Sequence, residues 1–498
     1  MNKIPFRVPT NRGQGDTWHF LVLVLVLVIV IGSFLNPITR TITITISITS
    51  TITSTSTNKT EAAMRVGLIT LGCDKNTVDN EYLAGMLEDK GCEVAFIDDL
   101  SAEQAYDAVV VTTCGFIGDA KAQSVDTIVD LTDRKRVSGQ PKRVFVAGCL
   151  AQRYSDDLMK EMPDVDGIVG VGQFQQLTDL ILQNADPAHL SLVRDIPKVQ
   201  IEHVLRRKRS DQTPHAFLKI SDGCNHGCTF CSIPLMKGRN TSVPPRVLLE
   251  EARQLLDQGV KELILVAQDL AAYGRDETTD YRLPRFLREL CAIEGDFRVR
   301  CLYVYPAGIT DELLDVLADE EKVVPYLDVP LQHLDPEVLR KMNRPSKDLN
   351  TFKLVEKVRE RVPDIALRTT MIVGFPGESR QAHLNMLKGI RELRFNWLGA
   401  FQYSKEEDTP AGVMPGQLSR ATKERRWKAV METQAEITAE LNQARVGTTA
   451  RVLVESYDPD RAQWQVRSPH EAPEVDGAIW LQSDRPLTIG SYVHARIT

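Results

Sequence analysis

From Met64 onward, short apolar runs alternate with longer amphipathic stretches. Arg65–Thr70, Cys92–Ile97, Ala108–Thr113, Arg143–Ala147 and Gly167–Gly170 read as buried strands, each apolar and bounded by polar or turn residues. Asn76–Lys90 (stopped by Gly91), about Asp119–Leu131 and the stretch after Ser155 read as helices. Strands that alternate with helices imply a parallel sheet covered on both faces, so this region is an α/β, Rossmann-like domain. The rhythm resumes after Arg206–Arg209, a basic segment that reads as a solvated linker. Ala216–Ile220, Glu262–Ala267, Val299–Val304, Tyr326–Val329, Leu367–Val373 and Trp397–Phe401 are strands, with helices such as Pro245–Asp257, Thr310–Ala318, Asn350–Arg361 and Arg380–Leu393 between them. Six strand–helix units are too few for a closed eight-unit barrel. The pattern predicts a partial (β/α)6 barrel, open at one side, with its chemistry at the carboxyl ends of the strands. Ala450–Glu455, Gln463–Val466, Ala478–Leu481 and Tyr492–Ile497 then predict a small antiparallel β-barrel. The expected domains are residues 64–199, 200–433 and 434–498.

Residues 1–63 break this rhythm. Phe20–Leu35 is a 16-residue apolar run, short for a membrane span, and it follows Lys3, Arg7 and Arg12. A signal peptide or marginal anchor is one reading. The low-complexity Thr/Ile/Ser tract that follows favours another: a spurious or unstructured leader, with Met64 as the true start and no stable membrane association. The composition of the whole chain, 26% charged and 43% hydrophobic, is ordinary for a globular protein. A net charge of −7 makes no general case for nucleic-acid binding. Nine unevenly clustered cysteines suit metal binding in a reducing, cytoplasmic setting better than a disulfide scaffold.

Three of those cysteines lie within eight residues, in Cys224-Asn-His-Gly-Cys228-Thr-Phe-Cys231. Three thiolates are one short of the set that fills a cubane iron–sulfur cluster, so one iron would stay open to a small molecule. The competing reading is a zinc knuckle or structural thiols, but zinc sites pair two such halves and no second half is near. Cys73, Cys114 and Cys149 each sit just past the end of a strand of the first domain. Ligands of open parallel sheets bind off those ends, so these three predict a second three-thiolate site, against the alternative of ordinary core cysteines. Cys92 begins a strand and reads as core.

CxxxCx[aromatic]C after the first strand of a barrel resembles the signature of radical S-adenosylmethionine enzymes. That resemblance implies a 4Fe-4S cluster on Cys224, Cys228 and Cys231, with S-adenosylmethionine on the open iron as the source of a 5′-deoxyadenosyl radical. It also implies that Phe230 packs near the adenine, and that Gly374, in Ile372-Val-Gly-Phe-Pro-Gly377, runs along the adenosine. An α/β domain with three dispersed cysteines, this barrel and a small β domain of TRAM type together resemble the radical S-adenosylmethionine methylthiotransferases. On that resemblance Cys73, Cys114 and Cys149 hold a second 4Fe-4S cluster that carries the sulfur to be transferred.

One branch of that family modifies adenosine in tRNA; another modifies the β-carbon of an aspartate in ribosomal protein S-twelve. Ala267-Gln-Asp-Leu-Ala-Ala-Tyr-Gly274, Leu302-Tyr-Val-Tyr-Pro306, Asp328-Val-Pro-Leu-Gln-His333, Tyr403-Ser-Lys-Glu-Glu-Asp-Thr409 and Ala472-Pro-Glu-Val-Asp-Gly477 resemble the second branch. From Gln434 onward nine acids face six arginines, which suits a basic ribosomal protein better than RNA. The resemblance implies two S-adenosylmethionine molecules per turnover, a sulfur donor, and an electron donor such as flavodoxin or ferredoxin. A non-catalytic ribosome-binding factor with one structural cluster is the alternative from another class. Arg300 and Arg368, in barrel strands, could hold the carboxylate of cofactor or substrate at the mouth, or form structural salt bridges. His333 could contact substrate or cofactor, or be structural. In Pro234-Leu-Met-Lys237-Gly238 the Ser-Arg usual after this segment is missing, as Val243 follows Ser242; this leaves the roles of Lys237 and Arg239 open. Mass spectrometry of the native protein tests the leader: an N-terminus at Met64 is expected, and peptides upstream of it overturn that reading.

Overall fold

The computed structural model describes residues 63–97, 105–183, 190–193, 206–344 and 350–498. The apolar run at residues 20–35 lies outside them. Among the described residues no helix is long and apolar enough to cross a membrane.

The first domain is a parallel sheet of β1 (Arg65–Thr70), β2 (Glu93–Phe96), β3 (Ala108–Thr113), β4 (Val144–Gly148), β5 (Gly167–Val169) and β6 (Leu190–Ser191), in the order β2-β1-β3-β4-β5-β6. Apolar clusters pack on both faces: Val66, Leu68, Val110 and Phe145 on one, Val109, Val111, Val144 and Val146 on the other. This is the doubly wound arrangement expected from unbroken apolar strands. Cys92 is buried in the first cluster, as its position at a strand start suggests. The two-residue β6 carries too little pattern to be read from sequence.

The barrel has six parallel strands, β7 (His215–Lys219), β10 (Glu262–Val266), β11 (Arg298–Cys301), β12 (Val323–Asp328), β13 (Ala366–Val373) and β14 (Trp397–Gln402), in that order. A short antiparallel hairpin, β8 (Ser221–Asp222) with β9 (Thr241–Ser242), frames the CxxxCxxC loop. The helix Arg420–Arg445 then runs unbroken through the expected 433/434 boundary. After it β15 (Thr449–Asp458), β16 (Gln463–Arg467), β17 (Ile479–Leu481) and β18 (Tyr492–Arg496) form an antiparallel sheet ordered β17-β16-β15-β18.

Buried ion pairs join the domains, and they correct one expectation. Arg207 is not part of a solvated linker. It donates to Glu81 at 2.6 Å, Glu251 at 2.9 Å and the Phe217 carbonyl at 2.7 Å, and all three groups are buried. Tyr82 donates to the same Glu251 at 2.8 Å, so one helix of the first domain is bolted to the barrel. Arg300 and Arg368 make the structural salt bridges that stood as the alternative to a carboxylate at the mouth. Fully buried Arg300 donates to Glu262 at 2.7 Å and to the Pro469 carbonyl at 2.8 Å. Arg368 pairs with Asp328 at 3.2 Å and Asp476 at 3.3 Å. Both therefore tie the barrel to the C-terminal domain, because carboxylates and carbonyls remote in sequence reach them first.

Glu262 holds three guanidinium groups, Arg298, Arg300 and Arg467, at 2.6–2.8 Å. Its own burial opposes ionisation, but the three charges hold its carboxyl well below the usual range. Its stabilisation is therefore present above the unfolded-state carboxyl pKa and is lost as pH falls through the lower folded value. Glu262→Gln should cost about 3–5 kcal/mol in denaturant unfolding near neutral pH, because it strands buried arginines. Arg451→Ala, at the exposed pair with Asp296, should cost under about 1 kcal/mol.

Candidate radical centre at the barrel mouth

The CxxxCxxC loop leaves β8 through Gly223, whose φ is +77°. A Cβ there would lie 2.3 Å from the Arg239 carbonyl oxygen, so only glycine lets the two segments pass. The Cys224 N–H donates to the Gly238 carbonyl at 3.0 Å, and the Cys231 N–H to the Cys228 carbonyl at 3.1 Å. The Thr229 N–H donates to the Met342 carbonyl at 3.0 Å, and the Asn343 amide to the Gly227 carbonyl at 2.8 Å. The three thiols are half-buried. Burial pushes Cys224 up to about 11 and Cys231 up to about 12.

A stack of three side chains stands beside this loop. The His226 ring lies on Tyr305 with centroids 3.5 Å apart, and Arg344 lies 4.2 Å over the same Tyr305 ring. Arg344 Nη1 is 3.7 Å from Cys228 Sγ, while its buried Nε has no protein partner. His226 Nε2 is 2.7 Å from buried Asp269, which also accepts from the Tyr305 N–H. Sequence reasoning missed Arg344. Its partners come from distant segments, and a lone arginine just after a helix gives no local signal.

Phe230 is partly buried against Phe375, Tyr403, Val338 and Met342. Gly374, with φ of +76°, follows β13 next to this cluster, and its N–H donates to buried Glu378. His333 is fully buried. Its Nδ1 accepts from the Asp335 N–H at 2.9 Å, and its Nε2 lies 3.9 Å from Glu378.

Cys73, Cys114 and Cys149 meet at the carboxyl edge of the first sheet. Cys73 is the N-cap residue of the helix Asp74–Asp89, Cys114 follows β3, and Cys149 opens the helix Cys149–Arg153 after β4. Two glycines record how closely the turns interleave. A Cβ on Gly72 would lie 3.1 Å from Cys114 Sγ, and one on Gly115 would lie 3.0 Å from the Cys149 backbone. Burial raises the Cys114 thiol and pushes Cys149 up to about 12. The helix Ile233–Lys237 begins two residues after Cys231, and its Ile233 and Met236 pack on Cys149 and Val171. The two thiol sets thus share one wall.

Among the described residues no three Cys, His, Asp or Glu side chains converge where a single metal ion would sit. A cubane asks for something different: each thiolate binds its own iron, so the sulfurs stay farther apart than in a mononuclear site. Each set offers three thiols, the donor type that a cubane takes.

Residues 218–389 match the Radical SAM superfamily, 65–170 match Uncharacterized protein family UPF0004, and 446–498 match the TRAM domain. Ribosomal protein uS12 methylthiotransferase RimO of Geotalea uraniireducens (strain Rf4) is 40% identical over 88% of this chain and 97% of its own length. The protein of the same name from Moorella thermoacetica is 41% identical over 87% of this chain and 96% of its own. The chain belongs to the ribosomal protein uS12 methylthiotransferase family. It is a radical S-adenosylmethionine methylthiotransferase, which implies a 4Fe-4S cluster and S-adenosylmethionine. Among solved structures, the radical S-adenosylmethionine methyltransferase TsrM from Kitasatospora setae shares the fold. Its TM-score is 0.53 at 17% identity, covering 70% of this chain and 77% of that one.

Gly374→Ala should lower stability by about 1–3 kcal/mol, read from thermal or denaturant unfolding. The new Cβ would meet Lys423 Cγ at 2.4 Å on a left-handed backbone.

Proposed function

We propose that this protein inserts a methylthio group at the β-carbon of an aspartate in ribosomal protein S-twelve (uS12), using two 4Fe-4S clusters and two S-adenosylmethionine molecules. The observation that carries the reading is the shared wall between two three-thiol sets, each one ligand short of a complete cubane. When bound, these groups supply a 5′-deoxyadenosyl radical, a methyl group and a transferable sulfur. The chain's own residues position and shield. Cys224, Cys228 and Cys231 hold one cluster, and Cys73, Cys114 and Cys149 the other. Arg344 lies beside Cys228 with Nε unsatisfied, and its planar fork suits the cofactor's carboxylate. Phe230, Ile372 and Phe375 form an apolar wall that excludes water from the radical, and Gly374 lets the backbone approach the adenosine. The acidic C-terminal domain suits a basic ribosomal protein as substrate. A flavodoxin- or ferredoxin-like electron donor and a sulfur donor complete the set of partners, in a cytoplasmic setting.

Two measurements test this. Reconstituted protein should hold about eight irons per chain, falling to about four in Cys224→Ala and in Cys114→Ala. uS12 from a deletion strain should lack the methylthio mass while tRNA is unchanged. Loss of methylthioadenosine from tRNA with uS12 intact would overturn the substrate assignment.

A further inference from the structure

Four buried charges meet where the first domain docks on the barrel. Lys237, at the end of the helix Ile233–Lys237, lies 3.1 Å from Asp222 and 3.4 Å from Asp79. Lys219, the last residue of β7, pairs with Asp79 and lies 3.3 Å from Asp222. None of the four is more than 6% exposed. The Gln268 amide donates to the second Asp222 oxygen at 2.9 Å. Two ammonium groups and two carboxylates make a formally neutral tetrad. Three members belong to the barrel, and Asp79 belongs to the helix capped by Cys73.

The tetrad lies near the upstream thiols. Met236, next to Lys237, packs on Cys149, and the Lys237 ammonium interacts electrostatically with both Cys149 and Cys73. The other charges near this edge are paired locally: Lys75 with Asp74 at 2.8 Å, and Glu406 with Lys121 at 2.7 Å and Arg153 at 3.3 Å. We propose that Lys237, a residue of the barrel, is a positioning residue that sets the reduction potential of the cluster held by Cys73, Cys114 and Cys149. The inference rests on the reading of those three cysteines as a cluster site. The physical reason is charge. Potentials of iron–sulfur clusters follow net charge, hydrogen bonding and burial, and a buried ammonium is poorly screened. The neighbouring carboxylates outweigh burial and hold Lys237 well above its ordinary pKa, so it keeps its proton at working pH. Removing its charge leaves the tetrad net negative and opposes addition of an electron to the cluster. Removing the charge of Asp79 does the reverse. The barrel would thus tune a cluster whose thiolates all come from the other domain.

Potentiometric titration of the reconstituted full chain, followed by electron paramagnetic resonance, tests this. The wave lost in Cys114→Ala identifies the centre. Its midpoint should move to more negative potential in Lys237→Met, to more positive potential in Asp79→Asn, and stay near wild type in Lys237→Arg. Shifts of the same sign in Lys237→Met and Asp79→Asn, or no shift in either, overturn the proposal, because a merely structural role does not reverse sign with charge. Should Lys237→Met fail to hold iron, Asp79→Asn against Lys237→Arg decides by the same criterion. A wild-type chain with one wave and about four irons overturns the cluster reading itself, a distinguishable outcome.

Discussion

The docking of the first domain on the barrel depends on buried ion pairs that radiate from one helix, Asp74–Asp89. Its Asp79 enters the lysine tetrad, Glu81 takes Arg207, and Tyr82 reaches Glu251. Lys75, Asn76 and Asn80 of the same helix are also buried. A helix this polar cannot be buried by apolar contact alone. One side rests on its own sheet through Leu83, Ala84 and Leu87, where Asn76 and Asn80 bond to β1 and β3, while Asp79, Glu81 and Tyr82 find their partners on the barrel and the segment leading into it. Leaving such charges unpaired would cost several kcal/mol each, so undocking exposes them to water and misdocking strands them. The pairs therefore fix the relative placement of the domains more than they add stability.

That placement has a chemical consequence. Cys73 caps the helix that carries Asp79, Glu81 and Tyr82, and Cys231 lies two residues before the helix that carries Lys237. The same contacts that join the domains bring the two thiol sets to one wall. At the other end, Glu262, Arg298, Arg300 and Arg467 lock the C-terminal domain to the barrel, with Arg368 and Asp476 as a second tie. The barrel is thus held on two sides by buried charge.

Much of this was legible in the sequence. The apolar runs gave the strands of both parallel sheets, except the two-residue β6, and the cysteine spacing and strand-end positions pointed to both thiol sets. What escaped was whatever depends on partners far away in the chain. For Arg300 and Arg368 the choice between a ligand and a structural salt bridge stayed open, because Glu262, Asp328 and Asp476 lie on other strands and loops. Arg207 looked solvated because a basic run resembles a linker until Glu81 and Glu251 arrive. Arg344 carried no local signal. The helix Arg420–Arg445 was cut at residue 433 because it is polar around most of its surface, which leaves no apolar period to mark its length.

On the proposed reading, two thiol sets with different tasks serve one mouth. A reconstituted Cys73→Ala/Cys114→Ala/Cys149→Ala variant, given S-adenosylmethionine, a reductant and uS12, tests it most directly. On the proposed reading S-adenosylmethionine is still cleaved while uS12 gains no methylthio mass. Methylthiolation of uS12 by this variant would contradict it.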